Sequence, residues 1–324
     1  MQISTTSSTD LPRSGPGSLV LALDVGGTKA EAALVDDRGT VLPGSRHRAP
    51  TGRTASSDDL AASVTDVVNR ALGALPADVA LAGVGVGCAG PITVAAGTVS
   101  PLNLEVWRQY PLLKLVQGLV PDARVRLRMD GLCITLAEHW VGAGQGTDSM
   151  MGMIVSTGVG GGLILGGRTV SGPSGNAGHI GHVEIGGFDD PCACGGRGCL
   201  EAVGSGPNTV AWARRQGFTG TSGEDLAAAY ASGDEIAQRA VERSGRAIGR
   251  AIASATNLVD LDVVAIGGGF SHVSPDLFDF IRESVAERSA FEFATRVRVL
   301  PSSLSGEGPL IGAAALIHRA ELVP

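Results

Sequence analysis

Apolar residues along the chain fall into short runs, each closed by glycine. Ser18 to Val25 (SLVLALDV) is one continuous run, the pattern of a strand buried on both faces. A tight turn at Gly26 and Gly27 leads into a second strand, a turn at Asp36 to Gly39 and a third strand directly after it, so this region reads as a β-meander. Residues 57–75 carry acids in the first turn and apolar side chains at helical spacing, which places a helix start near Ser57. Another buried strand, 82–88, is closed by Gly90-Pro91, and residues 103–113 read as a loop with two aromatics that stops at Pro111. Residues 125–130 form a strand ending on Asp130, followed by a helix (GLCITLAEHWVGAG).

From Met150 the pattern restarts. MMGMIVS is a strand, TGVGGG a turn, and LILGG a second strand that turns again at Gly166 to Arg168. Strand, glycine turn and strand thus occur at 18–36 and again at 150–166, which implies two related α/β lobes facing each other over a common ligand. Residues 234–257 place Ile236, Ala240, Val241, Ile248, Ile252 and Ala255 on one face of a long amphipathic helix. The strand VVAIGGG (263–269), a helix near 275–289, a strand at 296–300 and a last helix at 309–320 complete the chain. The expected organisation is a disordered tail over 1–17, a small lobe over 18–130 joined by the C-terminal helix 309–324, and a large lobe over 131–308.

Composition narrows the function classes. A hydrophobic share of 44% with 18% charged residues belongs to a soluble globular chain. The 48 glycines are roughly twice the usual ~7% and sit in clusters, which argues for tight turns and close backbone approaches. A net charge of −7 without a Lys/Arg cluster speaks against nucleic acid as a partner. No stretch approaches the roughly 18 apolar residues of a membrane span, and the polar start lacks the apolar core of a signal peptide. A cytoplasmic protein is expected, and five cysteines, an odd number with three crowded together, fit that better than a disulfide framework.

Chemistry concentrates in the irregular, glycine-rich stretch Ser171 to Glu201 (SGPSGNAGHIGHVEIGGFDDPCACGGRGCLE). Its three thiols and a nearby histidine suit a closed, tetrahedral zinc site, with His182, Cys192, Cys194 and Cys199 as ligands. The segment Asp24 to Lys29 has neither P-loop nor dinucleotide spacing. A glycine turn between strands can still cradle an anion on successive backbone N–H groups, with Thr28 adding a hydroxyl; an ordinary hairpin is the alternative. Ser156-Thr157-Gly158 repeats that chemistry and strengthens the phosphate reading. Asp130, at a strand end before a helix, stands where α/β sheets bind ligands, or serves only to cap the helix.

LALDVGGTKAEAALVD, VSTGVGGG, AGHIGH and CACGGRGCLE, in this order and spacing, resemble the ROK family of sugar kinases and sugar-responsive repressors, over nearly the whole chain after residue 18. The resemblance implies an α/β chain of the actin-like ATPase fold (ribonuclease H-like), two lobes around a nucleotide and sugar cleft. It implies ATP between the two glycine turns, held by Gly26, Gly27, Thr28, Lys29, Thr157, Gly158 and, on the adenosine side, Gly268, with Asp24 orienting Mg²⁺. The sugar would meet Gly90, Asn103, Asp130, His179, His182 and Glu201, with Asp130 as base toward the 6-hydroxyl, and the zinc ligands would be the four residues already chosen. Two departures stand out. Met129 replaces the asparagine that usually precedes the aspartate, and a thioether cannot replace an amide's donor and acceptor. His179 replaces the glutamate of family glucokinases, as in bacterial N-acetylmannosamine kinases. The expected substrate is therefore a hexose or N-acylhexosamine, N-acetylmannosamine ahead of glucose, in a homodimer or homotetramer. Met129 motivates the alternative of a sugar sensor with weakened catalysis; a repressor would need a DNA-binding domain ahead of the first strand, where only about 17 residues stand.

Overall fold

The computed structural model describes residues 17–324 except Arg53, Ser289 and Ser305. The expected tail over 1–17 thus lies, but for Gly17, outside the described residues. Two five-stranded sheets are built on one plan. In the first, β1 (Leu19–Val25) pairs antiparallel with β2 (Lys29–Val35), which pairs with β3 (His47–Pro50). On its other side β1 runs parallel to β4 (Leu81–Cys88), giving the order β3-β2-β1-β4-β7 once β7 (Val125–Met129) is added. A short hairpin of β5 (Ile92–Thr93) and β6 (Thr98–Val99) stands apart.

The second sheet repeats the plan. β8 (Met150–Val155) forms a hairpin with β9 (Val159–Leu165), flanked by β10 (Arg168–Thr169), while β11 (Val263–Gly267) and β12 (Arg298–Pro301) run parallel on the far side. The twofold occurrence of the strand, glycine turn and strand pattern is therefore a real repeat of sheet architecture.

The outer helices cover the sheets because each turns an apolar face inward. α1 (Ser57–Leu72) starts at a capping box between Ser56 and Asp59 and buries Leu60, Val64, Val67, Val68 and Ala71 against the first sheet. α2 (Leu112–Leu119) follows Pro111, which occupies its N-cap position. The expectation of a stop at Pro111 is thus corrected: proline before a helix costs no hydrogen bond and fixes the entering chain. α3 (Asp130–Val141) leaves β7 without a loop. α4 (Leu200–Gly204), α5 (Gly206–Arg215) and α6 (Gly223–Ala231) are short and glycine-bounded, and their apolar pattern was too brief to read in the sequence. α7 (Glu235–Val259), capped by Asp234, packs along α8 (Leu277–Arg288), with α9 (Glu292–Thr295) beside them.

The two sheets meet through α3 and α10 (Gly308–His318), and glycine makes the meeting possible. A Cβ on Gly312 of α10 would come within 1.8 Å of the Cys133 carbonyl oxygen in α3, and one on Gly85 of β4 within 1.7 Å of that of Ala313. One on Gly131 would come within 2.3 Å of the Gly161 carbonyl oxygen of β9. Backbone therefore lies directly on backbone from β4 through α10 and α3 to β9. This corrects the reading of Gly160 to Gly162 as part of a turn: they belong to β9, where a Cβ on Gly162 would come within 2.6 Å of the Gly131 carbonyl oxygen of α3 and one on Gly161 within 2.8 Å of the Ile180 side chain. The third strand is displaced too. After the Asp36 to Gly39 turn only Val41 bridges to Val35; the chain then bends where the buried Ser45 hydroxyl donates to Leu42 O at 2.7 Å, and pairing resumes at His47.

Candidate active site and metal loop

Asp24 and Asp130 are brought together by topology. Asp24 is the penultimate residue of β1, 8% exposed, and Asp130 opens α3 at the end of β7, two strands away in the same sheet. Burial pushes the Asp24 carboxyl up to about 7, the Asp130 charge adds to the rise, and the Lys29 ammonium opposes it. Asp130 is raised as well, first by burial, against the Gly131 N–H that donates to its Oδ1 at 2.7 Å, with the charge of Glu201 adding to the rise. Asp130 is the first helical residue and Met129 the N-cap, and Asp130 Oδ1 satisfies the Gly131 N–H of the first turn.

Each hairpin brings a glycine turn to this end of its sheet. In the first, Gly26 N donates to Lys29 O at 2.9 Å, and Thr51, just beyond β3, braces the turn through its hydroxyl on Gly26 O (2.9 Å) and its N–H on Thr28 O (3.1 Å). The Asn103 side chain lies against Gly27, its Nδ2 2.2 Å from where a Cβ would stand, and its Oδ1 is buried without a partner. Lys29, expected on phosphate, has its ammonium on Glu31. In the second, Ser156 N donates to Gly158 O at 2.9 Å, leaving Thr157 at the tip, and Gly206 at the start of α5 donates to Ser156 O at 2.9 Å. Gly268, with φ +98, passes over Val155, where a Cβ would come within 2.5 Å of the carbonyl oxygen.

Glu201 is tied to that second turn: its Oε2 accepts from Val159 N at 2.9 Å and lies against Gly158. On the other wall, Met129 Sδ and His179 Nε2 both face Gly90, 2.9 and 3.2 Å from its absent Cβ. Met129 is 2% exposed and belongs to the core beneath the first sheet. Burial, and then the charge of His182, lowers the His179 pKa, so it is neutral near pH 7; its Nδ1 is buried with no partner. His179 meets His182 edge to face, with ring centroids 4.9 Å apart.

His182, Cys192, Cys194 and Cys199 converge, their ligand atoms all within 4.8 Å of one another. Cys192 Sγ stands 3.6 Å from His182 Nδ1, and Cys194 Sγ 3.6 Å from Cys199 Sγ. A tetrahedral zinc with Zn–S near 2.3 Å sets its sulfurs about 3.8 Å apart, so donor set and spacing both fit. With Nδ1 toward the cysteines, Nε2 of His182 is left for a second partner. Arginines of the long helix hold the loop from outside. Arg243 pairs with Asp190 and lies over the rings of Phe188 and Trp212, 5.1 and 5.3 Å from their centroids; Arg250 also lies over Phe188, at 5.0 Å, and donates to Gly186 O. Phe188, Asp190, Arg243, Thr51 and Glu31 were not singled out in the sequence. Only Glu31 left a signal there, a charge at an inward position of an apolar strand.

Two hairpin-centred sheets joined by crossing helices, with buried acids between their glycine turns, define the actin-like ATPase fold in its two-lobed form. The ROK family model matches residues 20–320, and the chain belongs to the ROK family. It is 31% identical over 303 residues to the N-acetylmannosamine kinase of Shigella flexneri, covering 94% of this chain and 99% of that protein. The ROK family glucokinase of Streptomyces griseus, solved in complex with glucose and AMPPNP, superposes with a TM-score of 0.81 at 28% identity, covering 93% of this chain and 100% of that one. The ROK hexokinase of Thermus thermophilus gives 0.77 at 29% identity, covering 94% and 99%. Among the described residues no helix is long and apolar enough to cross a membrane.

Proposed function

We propose that the protein is an ATP-dependent sugar kinase that phosphorylates the 6-hydroxyl of an N-acylhexosamine or hexose, N-acetylmannosamine first and glucose next. The observation that carries this reading is the pair of buried acids, Asp24 and Asp130, at strand ends of one sheet, with Asn103 Oδ1 (its side chain against Gly27) and His179 Nδ1 (its ring, with Met129, against Gly90) buried and unpartnered. Buried polar atoms without partners are costly, and the hydroxyl or amide groups of a sugar would satisfy both. A carboxyl raised toward neutrality is suited to a general base, and Asp130 would take the proton of the attacking hydroxyl. Thr28, Thr157 and the backbone N–H groups of the turns would hold phosphate oxygens, Gly268 would line the adenosine side, and Asp24 would face Mg²⁺. Bound with the nucleotide, Mg²⁺ supplies neutralisation of phosphate charge. Phosphoryl transfer asks little else of a protein than position and charge.

Gly90, Asn103, His179, His182 and Glu201 would surround the sugar. Zinc, held by His182, Cys192, Cys194 and Cys199, has a structural role in this reading: it fixes His182 and the backbone leading to Glu201, preorganising two contacts on a glycine-rich loop. The lean toward an N-acylhexosamine rests on the neutral His179 and the thioether of Met129, where neither a carboxylate nor an amide is offered. Met129 also favours a second reading, a sensor that binds sugar but transfers phosphate poorly.

A coupled ADP-release assay over glucose, mannose, allose, N-acetylglucosamine and N-acetylmannosamine separates the two. Turnover with N-acetylmannosamine ahead of the others is the expected result. Thermal stabilisation by one of these sugars without turnover on any would establish the sensor instead.

A further inference from the structure

Glu31 is 2% exposed, yet its carboxylate is held by three cations. Lys29 Nζ sits on Oε2, while Arg46 (Nε, 3.0 Å) and Arg48 (Nε, 3.0 Å; Nη2, 2.8 Å) share Oε1. A buried carboxylate must not be left without a counter-charge, but one is enough. Two cations are therefore in surplus, offset in part by Glu307, 3.6 Å from Arg46. The three are not equivalent. Arg46 also donates to Gly306 O at 2.8 Å and so ties β3 to the start of α10, and Arg48 grips Oε1 through two N–H groups. Lys29 makes the single contact of a flexible, strongly hydrated ammonium. It directly follows Thr28 of the first glycine turn, its side chain is 36% exposed, and its sheet face is that of Asp24, which pairs across the strands with Glu31.

We propose that Lys29 is a transferable cation of the donor site: held on Glu31 while the site is empty, it passes to the phosphates of the incoming nucleotide, and Arg46 and Arg48 keep Glu31 neutralised after it leaves. This rests on the kinase reading given above. The exchange swaps one charge-assisted pair for another, so the ammonium is never stripped of an anion. It also makes the turn responsive to polyanions, because a neutral ligand has nothing with which to draw Lys29 away. The alternation of Lys29 and Glu31 on one face of the otherwise apolar KAEAALV strand then has a purpose beyond sheet packing.

The test follows the Lys29 ammonium by nitrogen-15 NMR of the full chain, its resonance assigned by its loss in Lys29→Arg. Saturating Mg·AMPPNP should move the resonance and adenosine should not; a resonance unmoved by Mg·AMPPNP overturns the proposal. Arg48→Gln leaves Glu31 more dependent on Lys29 and should raise the KM for ATP roughly tenfold, the equivalent of one charge-assisted hydrogen bond, with kcat within about twofold. A KM equal to that of the parent also overturns it. If Mg·AMPPNP moves the resonance while no sugar is phosphorylated, the exchange stands and the kinase assignment falls. Sugar phosphorylation with Lys29 still on Glu31 removes the exchange alone.

Discussion

Asp24→Asn should stabilise the protein and disable it at once, and the size of the effect follows from burial. An aspartate has an ordinary pKa of 3.8, and in the folded chain Asp24 is pushed up to about 7. Between these values the unfolded chain has released the proton that the folded chain still holds, so the folded state binds more protons and loses stability as pH rises. At about 1.36 kcal/mol for each pH unit, the loss amounts to roughly 4 kcal/mol by pH 7 to 8. It is absent near pH 4. Asparagine keeps the shape and cannot ionise, so the variant should escape the loss. Its measured advantage will be smaller than the full figure, because the amide brings donors of its own into a site 8% exposed. Urea unfolding at pH 4.5, 6 and 8 is the assay. The parent and Asp24→Asn should have similar free energies at the lowest pH and diverge by a few kcal/mol at the highest, in favour of the variant. Adding Mg·AMPPNP at pH 8 should narrow or reverse the difference if, as proposed, the Asp24 carboxylate faces the metal ion. If the two proteins keep a constant difference across the pH range, the charge at position 24 is not held against burial and the reasoning fails.

Other expected outcomes are simpler to state. Asp130→Asn should lower kcat by about 10² to 10⁴, the usual contribution of a general base, while sugar-induced thermal stabilisation persists; normal turnover would remove Asp130 from the chemistry. Gly27→Ala puts a methyl group 2.2 Å from Asn103 Nδ2 and 2.6 Å from its Cγ, so the amide must swing away; the KM for the sugar should rise about tenfold, the cost of one hydrogen bond, and an unchanged KM would place Asn103 outside the sugar site. Cys194→Ser should reduce zinc from one equivalent to a small fraction by elemental analysis. Because Arg243 and Arg250 hold Phe188, Asp190 and Gly186 independently of the thiols, protease cleavage should increase around 192–199 and not around 186–190; retained stoichiometric zinc would refute the ligand set.

What the sequence disclosed and what it concealed divide along a physical line. Buried strands such as LVLAL and MMGMIV announce themselves because burial on both faces leaves no polar position. The convergence of His182, Cys192, Cys194 and Cys199 was legible because few other roles suit three thiols and a histidine at that spacing, whereas a strand-end acid such as Asp130 serves equally to cap the helix that follows it. Gly162 misled because glycine at a turn and glycine under a crossing helix look identical in one dimension; the difference lies in α3, whose Gly131 arrives from elsewhere in the chain. Pro111 misled because proline ends one element and starts the next with equal ease. Helices α4 to α6 were hidden by brevity, five to ten residues offering too few turns for a period to show. Lys29 was legible as a cation beside a glycine turn, but Arg48, which shares Glu31 with it, arrives by a strand pairing with β3 whose register the sequence placed too early.

The bare crossing of β4, α10, α3 and β9 has a consequence for how this chain can vary. At Gly85, Gly131 and Gly312 the smallest possible addition, one methyl group, collides with main-chain atoms that have nowhere to retreat. Selection on a saturation library should therefore leave these three columns blank for every alternative residue, however conservative, while the half-buried Arg319 just beyond α10 tolerates many. The loops around the cleft can be rewritten to suit a new sugar. The crossing beneath them cannot, and it sets the frame within which any such rewriting must be done.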